Sequence, residues 1–329
     1  METTWSPDEG ITVTTNTTGD KDVNEFTSTT LLILVKVVTV LAIFLCVLLN
    51  PLMLFTLRRV TSIQPTTKIF MASLTLCDLC NSLCWILPLT ELFAGSWLLG
   101  EFLCVVHGVT RNLFVGLSIN SLLLLTMDRY IAISHSLRYP SIMTVFRSKI
   151  IVFSTWATVS ILCTLVFGIH GNHIVSLDTH YLCLGHYDWR NYLTLAVVVI
   201  IILSIFILYA HIATIACNQA RRIAAENQAG NGQGGQRINT TSTTTIIIIT
   251  GTLLITWIPT VIGLVMLPQS TWTLYDRYLC GTLTQVLLLC NGWLNVMIYY
   301  LRNRDLRQAI RSLLSEWHQS LQQRFCFKN

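Results

Sequence analysis

Long apolar stretches separated by short polar segments make up most of the chain. A helix needs about 20 mostly apolar residues to cross the hydrocarbon core of a bilayer, and seven stretches are long enough. Their apolar runs are continuous rather than alternating, which favours helices over the strands of a β-barrel, because a helix satisfies its own backbone hydrogen bonds in lipid. The predicted spans are residues 31–57, 69–93, 102–134, 150–169, 192–217, 246–267 and 278–301.

A different apolar pattern follows the last span. Apolar residues recur there at steps of three and four, and arginines fall largely on the other face, which is typical of an amphipathic helix on a membrane surface. We therefore predict an all-α membrane protein, a seven-transmembrane helix bundle with an amphipathic eighth helix. The predicted parts are an N-terminal tail over residues 1–29, the bundle over 30–302, the surface helix over 303–317 and a cytoplasmic tail over 318–329.

Composition and charge agree with this prediction. Of the 329 residues, 53% are hydrophobic and only 11% are charged, whereas soluble domains carry about 25% charged residues. Fifteen lysines and arginines follow the first, third, fifth and seventh spans, against three on the opposite side. By the positive-inside rule, the N-terminus is extracellular and the C-terminus cytosolic in a plasma-membrane protein. Since the basic residues line a membrane face, no nucleic-acid partner is expected.

Two features of the termini suggest covalent modification. Asn16 begins an Asn-Thr-Thr sequon in the N-terminal tail and is expected to be glycosylated if that tail is extracellular. Cys326 lies between two phenylalanines and is either a palmitoylation site or a plain free thiol. The tail carries no basic segment followed by a short apolar core, so the first span is expected to act as its own insertion signal.

Short motifs occupy fixed places along the predicted spans. They are Asp78 in the second span, Asp128-Arg129-Tyr130 at the end of the third, Trp257-Ile258-Pro259 in the sixth, and Asn295 followed by Tyr299 in the seventh. This ordered set resembles the rhodopsin-like (class A) G-protein-coupled receptors over about residues 30–317. Residues 137–144, and the absence of a proline from the fifth span, are similar to the melanocortin receptors.

The resemblance implies that an extracellular ligand acts through the bundle on a heterotrimeric G protein, with arrestin, a receptor kinase and membrane lipids as further partners. It implies a disulfide between Cys104 and Cys183, and contact of Arg129 and Leu137 with the G protein. No enzymatic activity is expected, since the chain has no catalytic motif such as a P-loop. The residues implied in the activation switch are Asp128, Arg129, Tyr130, Tyr209, Pro259 and Tyr299.

Asp78 is a carboxylate in the middle of a span, where its charge costs about 2.5–3.5 kcal/mol. It must therefore find polar partners, and Ser118, Asn291 and Asn295 lie at matching depth. Oxygen ligands suit a hard cation, and the resemblance implies a sodium ion at these four residues. The alternative is a hydrogen-bonded cluster that holds water and no ion. No other cofactor is expected.

Arg111 lies in the third span, where amine receptors of this family carry an aspartate, which disfavours an amine ligand. Leu289 replaces the lysine that an opsin needs for retinal, so light sensing is excluded. A cation within a span is a functional-site hypothesis, and an arginine suits an anionic ligand such as a carboxylate or phosphate. Alternatively, Glu91 or Glu101 neutralises Arg111 and the arginine specifies no ligand. The alternative class of ligand is a peptide. The predicted ligand-binding residues are His107, Arg111, Asn112, Trp257 and Gln285.

Some positions depart from the family pattern. The start of the sixth span carries Asn239-Thr240-Thr241 in place of an acid that would lock Arg129, so basal activity is expected. The alternative class is a seven-helix transporter or channel, which would need more ionisable residues within the spans than Lys36, Asp78 and Arg111.

Overall fold

A computed structural model describes most of the chain, and six of its helices are long and apolar enough to cross a membrane within the described part. These helices confirm six of the seven predicted spans. The predicted sixth span, 246–267, is described only at residues 256–263 and 265, which are helical. Asn16 and Asn239-Thr240-Thr241 lie outside the described residues. The structure describes residues 17–168, 172–177, 180–185, 189–228, 256–263, 265 and 274–326.

The described chain is a bundle of helices with one short hairpin of strands. We number the helices α1 to α10 and the strands β1 and β2 in chain order. The helices are α1 Thr17–Arg59, α2 Pro65–Cys84, α3 Ile86–Ala94, α4 Gly100–Ser134, α5 Tyr139–Ile142, α6 Val145–Phe167, α7 Trp189–Gln228, α8 at residues 256–263, α9 Leu274–Arg302 and α10 Arg304–Cys326. The strands are β1 Asn172–Leu177 and β2 His180–Gly185.

Three helices extend beyond the apolar stretches that predicted them. Helix α1 begins at Thr17, inside the predicted tail. Helix α7 continues to Gln228, eleven residues past the predicted end at Cys217, and α10 continues to Cys326 instead of ending at Trp317. Hydropathy marks only the part of a helix that suits lipid. Beyond that part, good helix formers such as Ala, Arg, Glu and Gln continue α7 and α10.

The second predicted span is divided into two helices at Trp85. Pro88 has no backbone N–H to donate to the carbonyl of Cys84, four residues earlier, so the regular helical pattern is interrupted there. Helix α3 then ends at Gly95, whose φ of 71° lies in the left-handed region. A glycine adopts this conformation without the steric cost of a side chain.

The hairpin of β1 and β2 was not predicted from the sequence. The two strands are antiparallel, with Ile174 opposite Cys183 and Leu177 opposite His180. Only two residues separate them, which is the commonest length of a hairpin connection. A search for apolar stretches of about 20 residues could not detect two strands of six.

The hairpin is fixed to the C-terminal end of α3 and the N-terminal end of α4. The disulfide between Cys104 of α4 and Cys183 of β2 is present, which confirms the predicted pairing. The backbone N–H of Trp97 donates to the carbonyl of Tyr181 over 2.6 Å. A Cβ atom on Gly108 would lie 2.4 Å from Oδ1 of the buried Asn172, so β1 packs this closely against α4 only because residue 108 is glycine.

Helix α10 packs against the end of α1, as an amphipathic eighth helix should. Its apolar residues Leu306, Ile310 and Leu313 are buried. The ring of Trp317 meets that of Phe55 edge-on at 6.3 Å between centroids. Arg59 donates to Glu316 over 2.6 Å, and this hydrogen bond lowers the pKa of the Glu316 carboxyl. Because both side chains are about half exposed, apolar packing rather than this ion pair holds α10 in place.

Candidate functional site

A network of buried polar side chains surrounds Asp128 near the C-terminal end of α4. The Asp128 side chain is fully buried. Its Oδ1 accepts a hydrogen bond of 2.6 Å from the hydroxyl of Tyr139, and its Oδ2 accepts one of 2.8 Å from the hydroxyl of Thr67. Both carboxylate oxygens are therefore bound by the protein, which offsets the cost of removing this charge from water.

Arg129 contributes a charged partner to the same carboxylate. Its Nη2 lies 2.7 Å from Oδ2 of Asp128 and also donates to the hydroxyl of Thr67. The Arg129 side chain is 42% exposed, so one end of the guanidinium is held by Asp128 while the rest faces the space at the end of the bundle. The structure thus pairs the two residues that the sequence singled out for the switch.

Tyr139 is a member of this network that sequence reasoning did not identify. It is the first residue of the four-residue helix α5, and its hydroxyl also accepts a hydrogen bond of 2.7 Å from Thr66. Burial and the neighbouring Asp128 carboxylate raise the pKa of the Tyr139 hydroxyl, so it remains protonated and able to donate. Its only signal in the sequence was its place in residues 137–144.

Asp78 has partners on two other helices. The Ser118 hydroxyl of α4 donates to its Oδ1 over 2.6 Å, and Nδ2 of Asn295 in α9 donates to its Oδ2 over 3.2 Å. Asn291 is buried as well, with its amide oxygen 3.5 Å from the Thr256 hydroxyl. A Cβ atom at position 292 would lie 3.1 Å from Cβ of Asp78, so Gly292 permits this close approach of α9 to α2.

The chemistry of this cluster limits what it can hold. Among the described residues, no group of three or more His, Cys, Asp and Glu side chains is placed to bind a metal ion. One carboxylate with neutral hydroxyl and amide oxygens lacks the soft ligands that select zinc or copper. The donor set is compatible with a hard cation of low charge, and also with water.

Two further switch residues belong to α7 and α9. Tyr209 of α7 is buried, and Tyr299 of α9 is within electrostatic range of Tyr209, Asp78 and Arg129. Polar groups therefore connect the middle of the bundle to its end. Four further predicted residues are placed as follows: Tyr130 packs edge-on against His211, Trp257 is buried and Pro259 half-buried in α8, and Leu137 is 96% exposed.

Several predicted ligand-binding residues carry buried polar atoms that lack a hydrogen-bond partner among the described residues. These atoms are Nδ1 of His107, Nε1 of Trp257 and Oε1 of Gln285. Buried polar groups in native proteins are nearly always satisfied by protein, water or ligand. His107 is further enclosed by the rings of Trp85 and Trp97, at 6.3 and 6.0 Å between centroids. Asn112 instead donates to the Gly108 carbonyl of its own helix over 2.8 Å.

Arg111 lies on α4 beneath the hairpin. Of the two acids considered as its partners, Glu101 is exposed, whereas Glu91 is buried and interacts electrostatically with Arg111. The Glu91 carboxylate also accepts a hydrogen bond of 2.9 Å from the backbone N–H of Cys183. Glu91 therefore connects the hairpin, α3 and the predicted ligand site.

Two other cations in this part of the chain also have partners. The ammonium group of Lys36 lies 5.6 Å from the centroid of the Phe93 ring, which is exposed on the outside of the bundle. The guanidinium of Arg190 donates to the carbonyl of Val166 over 2.9 Å, at the last turn of α6.

Comparison with known proteins identifies the family. The family model for the 7 transmembrane receptor (rhodopsin family) matches residues 49–299, which is more than half of the chain. The chain belongs to this family and is a multi-pass receptor of the plasma membrane rather than an enzyme. The family resemblance read from the motifs is thereby confirmed.

The similar curated proteins include melanocortin receptors. Melanocortin receptor 5 of Rattus norvegicus is 27% identical over 213 residues, covering 60% of this chain and 56% of the relative. Melanocortin receptor 4 of Danio rerio is 28% identical over 211 residues, covering 61% and 57%. The Trissin receptor of Drosophila melanogaster is 33% identical over 111 residues, covering 33% and 16%. The chain thus spans little more than half the length of the melanocortin receptors.

Replacing Tyr139 by phenylalanine should destabilise the protein, because Asp128 would lose one of its hydrogen-bond donors while remaining buried. A hydrogen bond to a charged group contributes about 1.5–3 kcal/mol, so a lower Tm is expected in thermal unfolding of the purified receptor. Tyr130→Phe is the matched control, since no hydrogen bond of its hydroxyl is seen among the described residues. Equal Tm values for the two variants would contradict the role assigned to Tyr139.

Proposed function

We propose that this receptor couples an extracellular ligand to nucleotide exchange on a heterotrimeric G protein, with Arg129 as the group exposed by activation. The observation that carries the proposal is the pairing of a half-exposed arginine with a fully buried carboxylate at one end of the bundle. Arg129 can leave Asp128 without leaving the buried carboxylate free of hydrogen bonds, because Thr67 and Tyr139 continue to donate to it.

The mechanism is a shift between two packings of the same helices and involves no covalent step. A ligand can shift such an equilibrium only by the difference between its affinities for the two states. In the resting packing Arg129 is held by Asp128. In the active packing Arg129 turns towards the G protein and Tyr299, and the exposed Leu137 adds an apolar contact to the G protein. A transporter or channel is disfavoured, since the family is one of receptors.

Replacing Arg129 by alanine should abolish G-protein coupling while surface expression is largely retained. The measurement is the rate at which purified G protein loads a non-hydrolysable analogue of guanosine triphosphate, with receptor in lipid discs. Because Asn239-Thr240-Thr241 offers no acid to lock Arg129, basal loading is expected and gives a readout before any agonist is known.

The matched control for this experiment is Arg138→Ala, which removes an exposed arginine from the neighbouring turn. Coupling that survives in Arg129→Ala, or falls equally in Arg138→Ala, would contradict the proposed switch.

We propose further that the ligand is a small anionic molecule held by Arg111, with His107, Trp257 and Gln285 supplying hydrogen bonds. The unpartnered buried nitrogens of His107 and Trp257 support hydrogen bonds to an anion, whereas Oε1 of Gln285 would accept a hydrogen bond from a donor group of the same ligand. Glu91 supports the competing view, because its carboxylate already balances part of the charge of Arg111. Peptide is the alternative ligand class, and the relatives are named as receptors for melanocortin and trissin.

Potency measurements on Arg111 variants decide between these possibilities. For an acidic agonist found by screening, Arg111→Ala should lower potency roughly ten-fold or more, because a charge-assisted hydrogen bond is lost. Arg111→Lys should retain more potency than Arg111→Ala but less than the unmodified receptor, since lysine lacks the planar guanidinium that binds a carboxylate through two hydrogen bonds. The neutral amide of the same agonist should be insensitive to both changes. Unchanged potency for the acid would defeat the anionic-ligand proposal.

For the cluster around Asp78 we propose a sodium ion that favours the resting packing. The oxygens of Asp78, Ser118, Asn291 and Asn295 would hold it, and the ion would supply only positive charge beside the carboxylate. The contacts of Asp78 with Ser118 and Asn295, and the burial of Asn291, support the proposal.

Sodium chloride should raise the Tm of the purified receptor above its value in equimolar choline chloride. Asp78→Asn should remove this difference, because an amide cannot offer the charge. Asp305→Asn, on the exposed first turn of α10, is the matched control and should retain the difference. A sodium effect that persists in Asp78→Asn would place the ion elsewhere, and no effect in the unmodified protein would favour the water-filled alternative.

We propose, from the distribution of basic residues, that the N-terminus is extracellular and that the face carrying Arg129 is cytosolic. Arrestin and a receptor kinase are proposed as further partners at that face.

A further inference from the structure

A groove of about 750 Å³ lies between α1, α2 and α6, apart from the residues assigned to ligand and G protein. All three helices are candidate membrane spans, and no side chain in the most apolar part of α6 is buried. This side of the bundle therefore faces lipid. The volume is in the range of small-molecule sites. The apolar wall consists of Leu54, Leu57, Ile69, Ala72, Leu76 and Val152.

The polar atoms in the floor of the groove are already paired with one another. Nε1 of Trp156 donates to the Ser73 hydroxyl over 2.9 Å, and that hydroxyl shares a second hydrogen bond of 2.9 Å with Ser121. The floor thus requires no hydrogen bond from an occupant. An apolar chain can lie against it without leaving a buried polar group unsatisfied.

One end of the groove is basic. Arg58, in the last turn of α1, and Lys68, in the first turn of α2, both line it. Within the described part of the chain neither side chain has a carboxylate within 4.0 Å, and the nearby Glu316 is already paired with Arg59. Two cations without a counter-charge at the mouth of an apolar groove are complementary to an anion with an apolar tail.

We propose that this groove binds an anionic phospholipid of the cytosolic leaflet. One acyl chain lies along the apolar wall against Trp156, and the phosphate is bound by Arg58 and Lys68. The positive-inside pattern places this end of α1 and α2 at the cytosolic surface, where anionic lipids are concentrated and where basic pockets between helices suit their head groups. The site is separate from the proposed ligand and sodium sites.

Fluorescence quenching by brominated lipids tests the proposal. The full chain is placed in discs of phosphatidylcholine that contain either phosphatidylserine or phosphatidylcholine with brominated acyl chains, at equal mole fraction. The chain has nine tryptophans, so the fluorescence of Trp156 is obtained by subtracting the fluorescence of the Trp156→Phe variant from that of the unmodified protein. Brominated phosphatidylserine should quench it more strongly. In the double variant Arg58→Gln, Lys68→Gln, the apparent affinity for this lipid should fall roughly five-fold for each charge removed.

Two further variants make the result specific. Arg304→Gln with Arg311→Gln removes the same charge from α10, outside the groove, and should retain the preference for phosphatidylserine. Ala72→Leu narrows the groove without altering charge and should reduce quenching by both lipids; it serves as the test if the double variant does not fold. Equal quenching by the two lipids, or equal loss in the α10 control, would overturn the proposal. So would quenching by a brominated sterol that phosphatidylserine does not displace.

Discussion

A carboxylate buried inside a helical bundle in lipid is removed from bulk water, so its charge must be balanced by hydrogen-bond donors within the bundle. Among the residues that the structure describes, three acids are buried in this way, and each connects different elements of the fold. Asp128 binds α2 and α5 through Thr67 and Tyr139. Asp78 joins α2 to α4 and α9, and Glu91 joins α3 to the hairpin.

These three contacts lie at the two ends and the middle of the bundle. Apolar packing between the helices is weakly directional, since lipid tails are as apolar as the side chains that face them. The buried acids add direction, because each accepts hydrogen bonds only from donors at fixed positions. A small continuous shift of the helices would break these hydrogen bonds without forming new ones. A change in helix packing must therefore exchange one set of hydrogen bonds for another, which favours discrete alternative packings.

Hydrogen bonding of buried polar groups differs between the predicted ligand-binding residues and the region around Asp128. Buried atoms of His107, Trp257 and Gln285 remain without partners among the described residues, which leaves hydrogen bonds available to a bound molecule. Around Asp128 both carboxylate oxygens are satisfied by the protein, and Arg129 beside it is half exposed. Tyr299 is within electrostatic range of both Asp78 and Arg129.

The sequence alone indicated the helical spans and the family, because apolar length and ordered motifs are local properties of the chain. The pairing of Cys104 with Cys183 was implied by the family resemblance. Tertiary structure decided the hairpin, the place of Tyr139 beside Asp128, and the choice of Glu91 rather than Glu101 beside Arg111. These depend on contacts between residues distant in the chain, and hydropathy carries no information about which donors meet a given acid. The groove beside Trp156 is likewise a product of how α1, α2 and α6 diverge, which none of the three helices specifies by itself.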